Sequence, residues 1–250
     1  MAGTAVRRRL SWALGRVVDL ADQSPRARSL FLEVPGWPGH RPGQHVDVRL
    51  TADDGYQAQR SYSIASAPGQ DPLELTVERL ADGEVSPYLT EVLQTGDQVE
   101  LRGPVGGWFV WEPDVGGPLL LVGGGSGVVP LVAMARHRAA LGSDVPATLL
   151  YSSRSWEEVL FKNELTRLER APNGLEVVHT LTREAPAGWT GRTGRVDAAT
   201  LAEVAPAAGD GRIAYVCGPT PFVEAVANAL VDAGWPSHRI RTERFGPTGT

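Results

Sequence analysis

The chain has 250 residues, of which 42% are hydrophobic and 21% are charged, and its formal net charge is −5 at pH 7. These are the values of an ordinary globular protein with room for two modest domains or one large one. The acidic balance gives no electrostatic basis for a broad surface that binds nucleic acid or anionic membrane.

Cysteine and histidine are too few and too scattered to build a familiar metal site. Cys217 is the one cysteine, so the sequence itself cannot form a disulfide, a four-cysteine iron–sulfur cluster or a CxxC redox pair. The five histidines show no HxxxH or HxxE pairing. We therefore expect no metal site, and the lone cysteine fits a reducing compartment.

The N-terminal segment is not expected to be a targeting signal. Arg7 to Arg9 resemble a charged leader, but Arg16 and Asp19 interrupt the apolar run that follows. No apolar stretch approaches the length that spans a bilayer. We predict a soluble, cytoplasmic protein without a membrane span, in which this segment leads into the first strand.

Short strands separated by turns fill the first 110 residues. Period-two alternation at a spacing of roughly 10 to 15 residues predicts an antiparallel barrel or sandwich. A helix is predicted in SPYLTEVLQ, with Ser86 as N-cap and Pro87 at the first helical position. The predicted strands are WALGRVVDL, ARSLFLEV, QHVDVRL, RSYSIAS, LELTVERL and DQVELRGPV.

Strands and helices alternate in the second half, with Pro113 to Pro118 as the expected linker. Nearly continuous apolar strands between helices predict a doubly wound parallel sheet. We therefore divide the chain into domains at 1–113 and 114–250. The predicted strands are LLLVG, ATLLYSS, LEVVHTLT and RIAYVCG, and the predicted helices are 127–141, 156–170, 197–205 and 220–234.

The segment PLLLVGGGSGVVPLVAMA runs from a buried strand through glycines into a helix that begins near Gly127. Glycines allow the backbone to approach a pyrophosphate, and a helix N-terminus supplies free N–H groups and positive potential. The segment departs from GxGxxG, because Val128 or Val129 stands where the last glycine would be. A merely tight strand–helix turn remains the alternative.

The segment YVCGPTPFVEAVANAL is a second turn of this kind. We expect its strand to end at Cys217, a turn through Gly218 and Pro219, and a helix capped by Thr220. Carboxyl ends of parallel strands meet at one edge of a sheet, so the two turns are placed to hold one dinucleotide. Taken alone, Cys217 would be a small buried core residue.

The segment LLYSSRSWEEVLF bears on the choice of nucleotide. A dinucleotide site normally has an acidic residue after its second strand, to bind the ribose hydroxyls. Here Ser152, Ser153 and Arg154 stand at that place, and they suit a 2′-phosphate, so NADPH is favoured over NADH. Glu157 and Glu158 are expected in the first turn of the next helix, where its dipole stabilises them.

RSYSIAS combines a guanidinium, an aromatic ring and hydroxyls, as a ligand with a phosphate and a flat ring requires. It is followed in order by GEVSPYL, GPVGGWF, GGGSGVVPL and CGPTPFVE. This series resembles the ferredoxin–NADP reductase superfamily of flavoprotein reductases over nearly the whole chain. The resemblance implies a six-stranded antiparallel flavin-binding barrel (1–113), then a nucleotide-binding α/β domain (114–250).

The resemblance also implies a reaction and its cofactors. Hydride would pass from NADPH, or NADH, to FAD, and electrons would then pass to a separate ferredoxin, flavodoxin, haem protein or molybdenum protein. No fused iron–sulfur domain is expected, given the single cysteine. The alternatives are a non-catalytic subunit that senses flavin or nucleotide, and a reductase of free flavin or quinone. Related sensor subunits use several cysteines near the C-terminus, which this sequence lacks.

By the same resemblance, Arg60 would pair with the FAD pyrophosphate, Tyr62 would stack on the flavin ring, and Ser63 would lie near flavin N5, with Ser61 between them. Other residues matched to the FAD site are Val77, Arg79, Gly83, Val85 and Ser86. Residues matched to the nicotinamide-nucleotide site are Gly125, Ser126, Ser153, Arg154, Cys217, Gly218, Pro219 and Thr220.

Four residues are considered for the region around the flavin ring. Ser63 and Cys217 would flank the hydride transfer. Glu243 is either a proton-handling carboxylate beside the flavin or a solvated charge at the end of a strand. Phe245 would be placed to cover the flavin ring, although five residues follow it.

Overall fold

The computed structural model describes residues 10–205 and 211–246. Its strands are β1 Ala13–Ser24, β2 Ala27–Glu33, β3 His45–Thr51, β4 Gln57–Ser63, β5 Leu73–Glu78, β6 Gln98–Val105, β7 Leu119–Gly124, β8 Ala147–Ser155, β9 Glu176–Glu184, β10 Arg192–Thr193, β11 Ile213–Pro219 and β12 Ile240–Phe245. Its α-helices are α1 Val128–Ala140, α2 Lys162–Arg170, α3 Ala198–Val204 and α4 Thr220–Asp232.

The first six strands form an antiparallel sheet in the order β4-β3-β6-β1-β2-β5. An isolated bridge between Ile64 and Leu75 joins its two edges, so the sheet closes into a barrel. Alternate side chains, including Leu30, Leu32 and Val48, point inward and are buried, as the period-two pattern requires. The predicted six-stranded antiparallel barrel is confirmed.

The second sheet has the order β10-β9-β8-β7-β11-β12 with parallel neighbours throughout. Leu119 and Leu121 join one apolar cluster, with α1 and α2, while Leu120 and Val122 join another, with α3 and α4. Both faces of the sheet are therefore covered. The predicted doubly wound parallel fold is confirmed, with the edge strands β10 and β12 as additions to the predicted set.

The helix after the fifth strand differs from the prediction. It is a π-helix at Tyr88–Val92, and Pro87 holds its cap position. Ser86 is not the side-chain cap, because its Oγ accepts a hydrogen bond from the backbone N–H of Leu80 at 3.0 Å. Ser86 therefore closes the loop that precedes the helix.

The predicted helix 156–170 begins only at Lys162. Phe161 has a φ of 56°, in the left-handed region, which interrupts the helical path. Ahead of it, the backbone N–H of Leu160 donates to the Tyr151 hydroxyl at 3.1 Å. The prediction for Glu157 and Glu158 is therefore wrong: both lie in the preceding loop, outside the first helical turn.

Two predictions at the C-terminal strands also need correction. β11 continues through Gly218 to Pro219, and Pro219, not Thr220, holds the cap position of α4. Glu243 lies within β12 and its Oε2 is buried, so the solvated end-of-strand interpretation is wrong. The other helix ends fall within two residues of the predicted bounds.

The two halves share an apolar interface. The cluster that lies under α1 and α2 also contains Ala27, Ala65, Phe109 and Trp111 from the first half. The expected linker contains a short 3₁₀ turn at Pro113–Val115. The domain boundary between residues 113 and 114 stays a prediction, and Arg7 to Arg9 lie outside the described residues.

Across residues 10–205 and 211–246, no helix is long and apolar enough to cross a membrane. The same residues contain no group of three or more His, Cys, Asp or Glu side chains placed to hold a metal ion.

Candidate active site

A cavity of about 220 Å³ lies where barrel strand β4 meets the start of the second half. It brings together nine of the residues singled out in the sequence. They are Arg60, Ser61, Tyr62, Ser63, Gly83, Val85, Ser86, Ser126 and Phe245. Segments that are far apart in the chain therefore line one space.

Arg60 stands at the exposed end of this cavity and is paired with Glu84. Its Nη2 lies 3.0 Å from Glu84 Oε2, and the Tyr56 hydroxyl donates to Glu84 Oε1 at 2.6 Å. Glu84 therefore holds the guanidinium against the cavity wall. The two partners are about half exposed, so an anion that enters can compete for Arg60.

Tyr62 presents a neutral ring to the cavity. The side chain is half-buried against the barrel core, and burial raises the pKa of its hydroxyl.

Ser61, the residue before Tyr62, bonds within the barrel: its hydroxyl donates to Asp47 Oδ1 at 2.7 Å. Burial opposes ionisation of Asp47, but hydrogen bonds from Arg102 and Ser61 lower its pKa overall. Ser61 therefore helps to fix β4 against β3.

The loop from Leu80 to Ser86 closes tightly on one side of the cavity. A Cβ atom at Gly83 would lie 2.9 Å from Ser86 Oγ and 3.1 Å from the Leu80 carbonyl oxygen. A side chain at this position would push the loop open. Gly83 thus keeps the loop compact, with Val85 and Ser86 at the cavity.

The two glycine-containing turns of the parallel sheet touch each other. A Cβ atom at Gly127 would lie 2.2 Å from the carbonyl oxygen of Cys217, and one at Gly218 would lie 2.7 Å from the Phe222 ring. These two glycines are explained by contacts within the protein. Gly125 is different: its φ is +56°, and the nearest group to a Cβ there would be the Glu78 carboxylate at 3.7 Å.

Cys217, Glu243, His45 and Ser63 form a connected group between the two halves. Cys217 and Glu243 are register partners on β11 and β12, and His45 and Ser63 are register partners on β3 and β4. His45 Nδ1 lies 3.5 Å from Glu243 Oε1 and so joins the two pairs. Sequence analysis missed His45, because only the barrel register places it opposite Ser63.

The thiol of Cys217 is held in its neutral form. Burial and the charge of Glu243 raise its pKa well above the ordinary value, although the Gly218 backbone opposes the shift. Glu243 Oε2 is itself buried and makes no hydrogen bond to any described residue. A neutral thiol and a carboxylate with a spare acceptor therefore stand side by side.

The end of β8 supplies the residues proposed for the nucleotide phosphate. Ser153 is buried, and its side chain lies beside the Tyr151 hydroxyl: burial raises the pKa of that hydroxyl, and a hydrogen bond with Ser153 opposes the rise. Arg154, the next residue, is exposed. A serine hydroxyl can donate one hydrogen bond and accept two, so Ser153 Oγ keeps hydrogen-bonding capacity at the carboxyl edge of the sheet.

Two assignments, one on β5 and one directly after it, need correction. The Val77 side chain is fully buried in the barrel core, so it cannot contact a ligand in the cavity. Strand alternation turns Thr76 and Glu78 to the cavity instead, and both line it. Arg79 lies in another groove, of about 320 Å³, where it is paired with Glu91.

Other lining residues were not singled out in the sequence. Alternation of side chains along β5 could have identified Thr76 and Glu78, because they share the face of the strand opposite to Val77. The remaining ones are Leu80, Glu84, Val129 and Gly246. Conversely, some of the predicted nucleotide residues lie outside this cavity, at or beside the carboxyl edge of the sheet: Gly125, Ser153, Arg154, Cys217, Gly218, Pro219 and Thr220.

Comparison with known families separates the chain into two matched regions. Residues 24–110 match the oxidoreductase FAD-binding domain, and residues 121–228 match the oxidoreductase NAD-binding domain. The first region lies within the barrel and the second within the parallel α/β half. The interval between them contains Pro113 to Pro118.

Curated proteins similar to this chain are named as reductases. The glycine betaine monooxygenase reductase subunit of Chromohalobacter salexigens is 34% identical over 83% of this chain, which spans 56% of that relative's length. NADH-cytochrome b5 reductase 1 of Kluyveromyces lactis is 30% identical over 77% of this chain and 69% of its own length.

Among solved structures, the Amycolatopsis cytochrome P450 reductase GcoB superposes with a TM-score of 0.85 at 29% identity. The match covers 98% of this chain and 72% of that one. The order of the motifs, the barrel followed by the parallel sheet, and the two matched regions all indicate the same family. The chain therefore belongs to the ferredoxin–NADP reductase superfamily, with an FAD-binding and an NAD-binding oxidoreductase domain.

Proposed function

We propose that the protein is an FAD-dependent NAD(P)H oxidoreductase that passes electrons to a separate acceptor protein. The observation that carries this proposal is the single cavity lined by Arg60 and Tyr62 of the barrel and by Ser126 of the sheet edge. In this one cavity, the Arg60 guanidinium is available for a phosphate, the Tyr62 ring for a flat ligand, and the backbone at Ser126 leads into helix α1. The reductase names of the similar proteins support the same activity.

The residues present fit FAD. Arg60 offers a fork of donors suited to a pyrophosphate once it leaves Glu84. Tyr62 offers a neutral aromatic face, and the loop at Gly83 to Ser86 offers a compact backbone surface. FAD, when bound, supplies a ring that accepts hydride and can release electrons singly. Phe245, which is 37% exposed and lines the cavity, is proposed to cover that ring.

The carboxyl edge of the parallel sheet is proposed to hold the nicotinamide nucleotide. Gly125 and Ser126 directly follow β7. The stretch from Cys217 to Thr220 spans the end of the neighbouring strand β11 and the start of α4. Ser153 and Arg154 would bind a 2′-phosphate, since a hydroxyl and a guanidinium stand where an NADH site has a carboxylate. We therefore propose a preference for NADPH over NADH.

Around the reacting atoms, the side chains have separate tasks. The neutral Cys217 thiol would fill space beside the nicotinamide without introducing charge. Ser63 would donate or accept a hydrogen bond from the barrel side. Glu243 would hold a proton at its Oε2 or accept one from a ligand, because that oxygen is buried without a partner among the described residues.

The acceptor is proposed to be a separate ferredoxin, flavodoxin, haem protein or molybdenum protein. The residues that the structure describes include no metal-binding group that could take the electrons onward. The second candidate is a reductase of free flavin or quinone, and the third is a non-catalytic sensor subunit.

The proposed cytoplasmic location rests on the single cysteine and would be tested by cell fractionation.

An acceptor series distinguishes these candidates. Purified protein reconstituted with FAD is supplied with NADPH and then with a ferredoxin, a cytochrome, free FMN or a quinone. We expect NADPH oxidation to depend on a protein acceptor, with little turnover on free flavin or quinone. Faster turnover on the small acceptors would replace the proposal with the second candidate, and no oxidation with any acceptor would favour the sensor.

A further inference from the structure

Arg136, on α1, lies in the interface between the two halves and is 11% exposed. Its Nη1 donates to Glu74 Oε2 of β5 at 2.5 Å and to the carbonyl oxygen of Ala65 at 2.8 Å. Its Nε and Nη2 donate to the two oxygens of Glu164, on α2, at 2.7 and 2.5 Å. One guanidinium therefore binds both halves of the molecule.

The network continues to the cavity wall. Ser29 Oγ donates to the other oxygen of Glu74 at 2.8 Å and lies 2.8 Å from Thr76 Oγ1. Thr76 is one of the residues that line the cavity. A continuous set of polar contacts thus runs from α2 through Arg136 and Glu74 to the proposed flavin site.

A further contact joins the same regions and is linked to this network, because Gln23 Nε2 donates to Ser29 Oγ at 3.0 Å. Phe161, which precedes α2, donates its backbone N–H to Gln23 Oε1 of β1 at 3.2 Å. Phe161 is the residue with a φ of 56°, and its ring lies 5.3 Å from the Arg136 guanidinium carbon. The loop that leads from Ser153 and Arg154 to α2 is therefore fixed to the barrel at its far end.

Stability alone does not account for this arrangement. Burying one cation with two carboxylates carries a desolvation cost that an apolar contact would avoid. The interface already has apolar contacts from Ala27, Ala65 and Phe109, but such contacts have no preferred direction and tolerate sliding. Directional hydrogen bonds from a planar guanidinium fix one orientation instead.

We propose that Arg136 is a positioning residue, which fixes the nucleotide-binding half against the barrel so that nicotinamide and flavin meet at hydride-transfer distance. The proposal rests on the proposed places of the two cofactors. Arg136 contacts neither place directly and acts through Glu74 and Glu164. Its effect should therefore fall on the transfer step rather than on nucleotide affinity.

Arg138 offers a matched control on the same helix. It is also a buried arginine, but its Nε donates to the carbonyl oxygen of Val145 within the α/β half. The experiment compares Arg136→Lys and Arg136→Met with Arg138→Lys and Arg138→Met. Anaerobic stopped-flow mixing with NADPH gives the limiting rate of flavin reduction and the apparent Kd, and C4-deuterated NADPH gives the isotope effect.

We expect the Arg136 variants to lower the limiting rate roughly 10- to 100-fold, since small misplacements of reacting groups have effects of this size. The apparent Kd for NADPH should change by no more than about twofold, the isotope effect should persist, and the Arg138 variants should keep a near wild-type limiting rate. Lysine keeps the charge without the fork, so Arg136→Lys decides the question if Arg136→Met does not fold.

Glu74→Gln tests the route of the effect. In the Arg136→Lys background it should lower the limiting rate less than it does in the wild type, because the two residues act through one contact. Additive effects, or a rate loss equal in the Arg136 and Arg138 variants, would overturn the inference while leaving the proposed function intact. A wild-type holoprotein that NADPH and NADH fail to reduce would overturn both.

Discussion

His45 of the barrel and Glu243 of the last strand face each other across the junction of the two halves, with Nδ1 and Oε1 3.5 Å apart. His45 is the register partner of Ser63, and Glu243 is the register partner of Cys217, so the contact joins three residues expected near the reacting atoms. The contact therefore marks where the proposed flavin and nicotinamide sites meet.

Replacing Cys217 with Ala should slow flavin reduction while FAD stays bound. The thiol is buried beside the proposed nicotinamide position, so its loss changes how the nucleotide fits there. We expect a decrease of about tenfold in the limiting reduction rate, as for a modest misplacement of reacting groups. Stopped-flow absorbance measures the rate, and a wild-type rate would return Cys217 to a purely packing role.

The same residue should resist alkylation. Burial and the nearby Glu243 raise the pKa of Cys217 well above its ordinary value, so little thiolate is present near pH 8. Native protein mixed with iodoacetamide at this pH should label slowly, and urea-unfolded protein quickly. Rapid labelling of the native protein would show that the site is open and ionised.

Replacing Tyr62 with Ala should weaken flavin retention, whereas Tyr62→Phe should keep it. The ring packs against the barrel core and lines the cavity, and phenylalanine preserves its aromatic face. The measurement is the ratio of flavin absorbance to protein absorbance after gel filtration, together with the shape of the flavin spectrum. Equal flavin content in both variants would argue against stacking.

Arg154→Ala should raise the KM for NADPH about tenfold or more while leaving the KM for NADH nearly unchanged, since a hydrogen bond to a charged group is worth about 1.5–3 kcal/mol. Arg154 is exposed at the carboxyl end of β8. Arg170→Ala, at the end of α2, is a control for a lost surface charge. Equal changes for the two nucleotides would remove the 2′-phosphate assignment.

His179 should make the fold less stable in acid. Burial lowers its pKa to about 4, against 6.5 in an unfolded chain. The unfolded state therefore binds more protons than the native state between these values, and stability falls as the pH is lowered through that window. At pH 4, His179 should lower the free energy of unfolding by about 3 kcal/mol relative to neutral pH.

Urea unfolding between pH 7 and pH 4 checks this effect. His179→Gln should remove much of the acid-dependent loss, while His238→Asn, at an exposed position, should not. An identical pH dependence in wild type and His179→Gln would show that His179 does not titrate with the expected shift.

The barrel and the parallel sheet were predictable because their strands carry a local signal. Alternation buries Leu30, Leu32 and Val48, and the nearly continuous apolar segments give β7, β8 and β11. The same signal, applied along β5, would have selected Thr76 and Glu78 instead of Val77. The position of Val77 in the motif does not give the direction of its side chain, which alternation along the strand does.

Other features depend on contacts between distant residues, and no local pattern encodes them. His45 meets Glu243 only through the barrel register and the added strand β12. Arg136 binds Glu74, which is 62 positions earlier in the chain. Phe161 adopts a left-handed conformation just before α2, so the helix predicted from residue 156 begins only at Lys162. Helix propensity does not reveal this conformation.

The most direct test of the account is anaerobic titration of the purified, FAD-reconstituted protein with NADPH, followed by flavin absorbance. We expect one equivalent of FAD to bind per chain and its visible absorbance to be bleached rapidly by one equivalent of NADPH. A colourless protein that takes up no flavin, or a bound flavin that neither NADPH nor NADH bleaches, would contradict it.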